Sequence, residues 1–212
     1  MRQLTILDKC FIELDNFIKA VAVPASGMSE KSPADNYDEV DLCAYDIKKS
    51  SSLMRVDHTG EVCAQALYRG QAFVAKNEET RVHLYEAAAE ECNHLSWCED
   101  RLTELGARKS ILNSFWYIKS FAIGATAGLI SDQISYGFIM ETENQVMDHL
   151  QSHLVQLPSR DVKSKAILEH MYKDEKEHAI KANDAGGVPL PGWAKLIMKA
   201  QSKIMTTVAY RI

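Results

Sequence analysis

Three stretches of this 212-residue chain carry apolar residues at steps of three and four, and each stripe is broken by one glutamate. Over residues 79–105 the stripe is Leu84, Ala88, Glu91, Leu95, Cys98, Leu102 and Leu105. In the segment ending at residue 157 it is Tyr136, Met140, Glu143, Met147, Leu150, Leu154 and Leu157. Over 159–185 it is Leu168, Met171, Glu175, His178, Ala182 and Ala185. Such spacing places side chains on one face of an α-helix, the face that a helix buries. A buried, unpaired carboxylate is costly or becomes protonated. Three in separate seams require a common explanation, and positive charge inside the fold supplies it.

The imidazoles point the same way. Glu91 and His94, and again Glu175 and His178, form Glu-x-x-His pairs, whose members share a helix face one turn apart. A further helix over 49–76 carries Glu61 on a stripe with Asp57, Ala64 and Tyr68. The order repeats: a helix with one glutamate (61, then 143) precedes a helix with Glu-x-x-His (91, then 175) at nearly equal spacing. Four carboxylates and two imidazoles are the donor set of dinuclear iron or manganese bundles, and four carboxylates balance two divalent cations. Glu143 rather than Glu141 is the expected ligand, because Glu141 has Gln145 and Asp148 as helical neighbours. Glu90 and Glu177 also fall off their seams.

Five prolines and ten glycines leave long stretches uninterrupted. The expected elements are an amphipathic helix over 3–22 ended by Pro24, a loop over 24–46, and helices over 49–76 and 79–105. A long helix over 111–157 follows, expected to break near Gly124 or Gly128, then helices over 159–185 and 193–210. This describes an all-α antiparallel four-helix bundle with an extra N-terminal helix and an amphipathic C-terminal one. A net charge of −5 argues against nucleic acid as a partner. The cysteines (Cys10, Cys43, Cys63, Cys92, Cys98) are odd in number and form no CxxC, so no disulfide framework or zinc site is expected. Cys63, Cys92 and Cys98 read as small buried apolar residues, and a reducing compartment fits best. Asp8, Glu13 and Asp15 interrupt any secretory signal. The longest uncharged run, Ser120 to Ser131, is too short to span a bilayer.

The segments MRVDHTGEVCAQALYRGQ (54–71), EECNH (90–94), ETENQVMDH (141–149) and DEKEH (174–178) resemble the demethoxyubiquinone hydroxylases, ferritin-like di-iron monooxygenases of ubiquinone biosynthesis. RVDHTGE is the most specific of them. The resemblance covers about residues 49–212, a catalytic domain with a membrane-facing C-terminal helix, and leaves 1–48 as a helix-and-loop extension. It implies that Glu61, Glu91, His94, Glu143, Glu175 and His178 hold two ferrous ions. It also implies that dioxygen is used to hydroxylate the ring of 2-polyprenyl-3-methyl-6-methoxy-1,4-benzoquinol, with other proteins of ubiquinone biosynthesis as possible partners. A ferritin-like storage or peroxide-reducing protein leaves RVDHTGE unexplained. A non-catalytic helical scaffold predicts no metal.

Asp57, Glu90 and Asp174, acidic residues beside the ligands, are candidates to orient the imidazoles. His149 either serves a carboxylate or substrate oxygen or lies on the helix surface, and His58 is structural or exposed. Tyr68 and Tyr136 either fill the core or donate a hydrogen bond at the metal site. A substrate with an isoprenoid tail requires contact with a bilayer. The apolar run 111–130 and the basic amphipathic segment 193–212, with Trp193, Lys195, Lys199, Lys203 and Arg211, suit a peripheral protein at the cytoplasmic face of the membrane. For the last helix, packing on the bundle or on another subunit is the alternative.

Overall fold

The computed structural model describes residues 5–24 and 30–212. These form α1 (Ile6–Ala22), α2 (Ala44–Val74), α3 (Glu78–Glu104), α4 (Asn113–Ile130), α5 (Asp132–Gln156), α6 (Val162–Asp184) and α7 (Gly192–Ala209), with a 3-10 turn at Pro33–Asn36 and no strand among the described residues. Side-chain oxygens start several of them by accepting orphan backbone N–H groups. Thr5 and Asp8 make a reciprocal capping box on α1, Asn77 accepts from the Glu79 N–H on α3, and Asp161 accepts from the Ser164 N–H on α6. Residues 3 and 4 of the first expected helix, and 25–29 of the expected loop, lie outside the described residues. Helix α2 begins at Ala44, inside that expected loop.

The long helix expected over 111–157 is two helices, and the break is at Ser131 rather than at Gly124 or Gly128. Ser131 is fully extended (φ −167°, ψ 162°), and its hydroxyl accepts the Ile134 N–H to open α5. The two glycines instead lie within α4 and serve packing. A Cβ on Gly124 would stand 2.1 Å from the Leu67 carbonyl oxygen, and one on Gly70 would stand 2.1 Å from that of Phe121. Helices α2 and α4 therefore meet backbone to backbone through reciprocal glycines, an approach closed to any other residue.

Two apolar clusters lie along the bundle core, beside a third around Val62, Leu95 and Tyr117. One contains Leu53, Met54, Trp97, Leu102, Leu150 and Leu168, the other Leu67, Tyr68, Leu84, Ala88, Ile139 and Ala182. Chain direction follows from the order in which each helix meets them. Helices α2 and α6 run from the first cluster to the second, and α3 and α5 run the other way, so α2/α3 and α5/α6 are antiparallel pairs. On all four helices the seam glutamate falls between the clusters. Of the three cysteines expected to be buried, Cys98 is, whereas Cys63 and Cys92 are only partly covered.

The N-terminal segment is tied to the bundle by charge and aromatic contacts. The Glu13 carboxylate accepts from Arg69 Nε at 2.8 Å and from the Tyr85 hydroxyl at 3.1 Å, and Phe17 packs edge-on against Tyr117. Glu39 accepts from the buried Arg101, which also donates to Asp161 at 2.9 Å and Ser164 at 3.1 Å. No helix of the described residues is long and apolar enough to cross a membrane. The glycine contact is testable by denaturant titration. Gly124→Ala is expected to cost about 1–3 kcal/mol. Gly60→Ala, which meets no heavy atom within 4 Å, is expected to gain up to about 1 kcal/mol.

Candidate metal centre

Helix α2 carries Glu61, α3 carries Glu91 and His94, α5 carries Glu143, and α6 carries Glu175 and His178, all buried. The structure brings them into two overlapping groups. Donor atoms of Glu61, Glu91, His94 and Glu175 lie within 4.8 Å of one another, as do those of Glu91, Glu143, Glu175 and His178. Glu91 and Glu175 belong to both groups. Nδ1 of His94 lies 3.1 Å from Glu91 Oε2 and 3.2 Å from Glu175 Oε1. Nδ1 of His178 lies 3.3 Å from Glu91 Oε1 and 3.3 Å from Glu175 Oε2. This donor set fits two oxygen- and nitrogen-seeking divalent cations that share two carboxylates.

The far nitrogens of both rings meet carboxylates as well. Nε2 of His94 donates to Asp174 Oδ2 at 3.0 Å, and Nε2 of His178 donates to Glu90 Oε2 at 2.9 Å. Each pairing fixes the ring plane and leaves Nδ1 facing the glutamates. With no metal, the bare cluster must balance its own charge. Burial opposes a charged His94, but the hydrogen bonds it donates to Asp174, Glu175, Glu61 and Glu91 outweigh it and raise its pKa well above the ordinary value. His178 is raised by the same balance, through Glu175, Glu90 and Glu91. Burial also works against the Glu91 carboxylate, yet hydrogen bonds from His178 and His94 hold its pKa low. Glu61 and Glu143 are raised well above the usual carboxylate range, chiefly by burial. Both oxygens of Glu143 are buried without a hydrogen-bond partner among the described residues. A carboxylate in that state is the cost that a cation removes.

The residues off the seam behave differently. Glu141 pairs with Lys195 of α7 at 2.7 Å, and Glu177 is exposed. Among the three expected orienting carboxylates, Asp174 and Glu90 reach the imidazoles but Asp57 does not. Asp57 Oδ1 instead accepts from Nδ1 of His153 at 2.7 Å. His153 was not anticipated, although it stands one helical turn after His149, and the two rings lie 4.0 Å apart. His149 is therefore not a plain surface residue. Tyr68 is fully buried in the second apolar cluster, and its hydroxyl has no hydrogen-bond partner among the described residues. Tyr136 does not serve the centre, because its hydroxyl lies 3.4 Å from His83 Nδ1. His58 is structural, buried beside Asn113 at 3.3 Å.

A cavity of about 150 Å³ reaches this cluster from one side, between α2, α4, α5 and α7. Glu61 lies in its wall, with Ala64, Ile123, Phe138, Val146 and Met198. The sequence model of the family described as ubiquinone biosynthesis protein COQ7 matches residues 48–209. The chain belongs to the COQ7 family. Proteins named 3-demethoxyubiquinol 3-hydroxylase from Francisella tularensis subsp. tularensis (strain WY96-3418) and subsp. mediasiatica (strain FSC147) are 57% identical to it over 211 residues, covering 100% of both chains. One from subsp. novicida (strain U112) is 56% identical with the same coverage. The COQ7-matched span contains all six clustered donors and the cavity walls, and it begins after α1.

Glu143 offers a test of the burial cost in the metal-free chain. Its folded pKa stands above the ordinary 4.5, so the penalty is absent at lower pH and grows as pH rises through 4.5 toward the folded value. Glu143→Leu is expected to stabilise the metal-free protein by about 1–4 kcal/mol at neutral pH. The gain should shrink toward pH 4 in urea titrations.

Proposed function

We propose that this chain is a di-iron 3-demethoxyubiquinol 3-hydroxylase, an O2-dependent monooxygenase of ubiquinone biosynthesis. The observation that carries the proposal is the paired donor set with the orphaned Glu143 carboxylate, opening onto a cavity at Glu61. The names of full-length relatives at 57% identity support the same reading. Glu61, Glu91, His94, Glu143, Glu175 and His178 would hold the two irons, with Glu91 and Glu175 shared. Bound there, two ferrous ions would supply the electrons that dioxygen activation needs.

The chain's own residues do the rest. Asp174 and Glu90 hold the imidazoles in register. The apolar parts of α2, α4, α5 and α7 exclude water from the ring and leave room for it beside Glu61. The isoprenoid tail must come from a bilayer, and the outer faces of two cavity walls suit that surface. Helix α4 and its approach expose Ile111, Phe115, Ile118, Leu129 and Ile130, and α7 exposes Trp193, Leu196, Ile197 and Ile204. Lys199, Lys203 and Arg211 add positive charge to α7 or its end. The protein would thus sit peripherally on anionic lipid, with α4 and α7 between membrane and metal.

Anaerobic loading with ferrous iron is expected to give about two irons per chain, the number of ions a four-carboxylate, two-histidine bundle site holds. Glu143→Ala should lose metal, and Asp174→Asn should weaken its binding by about 10–100-fold. The loaded wild type should hydroxylate the demethoxy quinol with dioxygen and a reductant. A chain that takes up no metal would overturn the proposal and favour a structural helical protein. On the membrane side, a Trp193→Ser, Leu196→Ser double variant should sediment with anionic phosphatidylglycerol vesicles much less than wild type while keeping its iron.

A further inference from the structure

Three side chains of the cavity wall each have a buried polar atom with no hydrogen-bond partner among the described residues: Asp57 Oδ2, His149 Nε2 and Trp116 Nε1. They come from three helices, α2, α5 and α4. Their capacities differ. The carboxylate oxygen accepts, the indole N–H only donates, and an imidazole nitrogen does one or the other. Leaving such atoms unpaired opposes folding, so their gathering around one cavity points to a ligand that pairs them.

The orientation of Asp57 is set from behind. Its other oxygen, Oδ1, is occupied by His153 at 2.7 Å, so Oδ2 is the oxygen left for a ligand. His153 is not part of the cavity wall, and its ring lies 4.0 Å from that of His149, tilted by 58°. The Asp57–His153 pair therefore braces both Asp57 and His149. Burial, with the neighbouring His153 adding to it, pushes the His149 pKa down to about 4, so at neutral pH its ring is uncharged and has one donor and one acceptor nitrogen. Trp116 is held in place by Phe115, edge-on at 5.0 Å, and by Lys119 over its ring.

Distance along α2 relates this trio to the metal donors. Asp57 is one turn before Glu61 on the same face, about 6 Å along the axis. That is a gap one substituted benzene ring can bridge, with one edge beside Glu61 and an oxygen substituent beside Asp57. A 1,4-benzoquinol and the corresponding quinone have the same outline and differ in what their oxygens do. Quinol hydroxyls donate and accept, whereas quinone carbonyls only accept. An accepting carboxylate oxygen is paired by the quinol and left unpaired by the quinone.

We infer that Asp57 is the positioning residue that selects the reduced ring, taking a hydrogen bond from a quinol hydroxyl on Oδ2, with His149 and Trp116 holding the remaining ring oxygens. The inference rests on the proposed reading of the cavity as the ring site. It goes beyond that reading by assigning redox-state selectivity to one carboxylate braced by His153.

The test is calorimetric titration of the full chain under argon, loaded with manganese(II) so that neither ring form exchanges electrons with the centre. The probes are a short-prenyl 3-methyl-6-methoxy-1,4-benzoquinol and its quinone. Wild type is expected to bind the quinol about tenfold more tightly than the quinone. Asp57→Asn, which keeps the shape and can offer an amide N–H to a carbonyl, should bring the ratio to about one or below. Trp116→Phe removes a donor that either ring form can use, so it should weaken both by a similar factor. It also keeps the test open if Asp57→Asn does not fold. An unchanged ratio in Asp57→Asn, or a Trp116→Phe effect confined to one ring form, overturns the inference and leaves the cavity reading intact. If wild type binds neither ring form, the cavity reading fails and the inference falls with it.

Discussion

Four carboxylates and two imidazoles buried between two apolar clusters are the constraint around which the bundle is arranged. A carboxylate without a hydrogen-bond partner in such surroundings opposes folding, and Glu143 has none among the described residues. The other members of the cluster compensate one another through the two histidines, which the carboxylates on each ring nitrogen hold toward the protonated form. Cations at the centre would relieve Glu143 and displace the protons on Nδ1. Asp174 and Glu90 would keep their bonds to Nε2 in either state, so the rings need not turn when the centre fills. That is preorganisation built from ordinary ion pairs at the margin of the core.

The centre has approximate internal symmetry, and the cavity breaks it. Each half of the chain contributes one lone glutamate and one Glu-x-x-His pair, yet of the six donors only Glu61 lies in the cavity wall. Helix α4 closes tightly on α2 through Gly70 and Gly124, while α7 touches the bundle more lightly, through Glu141–Lys195 and its buried Ala209. A ring entering here approaches from the Glu61 side, with one firm wall and one lighter one. Both walls turn apolar residues outward, which joins the route into the cavity to the surface proposed to meet lipid.

Much of this was legible in the sequence because helical periodicity reports burial directly. A glutamate on a buried stripe is visible as a misfit, and two Glu-x-x-His pairs at matching spacing identify which misfits belong together. The distinction between Glu143 and Glu141 followed from the same periodicity, and Glu141 is indeed used elsewhere, against Lys195. What escaped depends on contacts across helices. Asp57 sits on the same stripe as Glu61, so spacing alone could not show that its carboxylate turns to His153 on α5. The glycines of α4 looked like helix breakers, since propensity cannot see a neighbouring backbone. The actual break, at Ser131, is a capping serine in an uncharged run. Trp116 carried no signal beyond being aromatic, because its unpaired N–H becomes meaningful only once a cavity lies beside it.

On the proposed ligand set, the doubled arrangement of donors has a consequence for how the molecule comes apart. Glu61 and Glu91 belong to the first helical hairpin, Glu143 and Glu175 to the second, and neither hairpin alone holds a complete site. Each ion would therefore act as a clasp between parts of the chain distant in sequence, one closing a loop from residue 61 to residue 175 and the other from residue 91 to residue 178, much as cross-links do. Separating the hairpins would require releasing both ions, so the catalytic metals would also set the lifetime of the fold against unfolding and proteolysis.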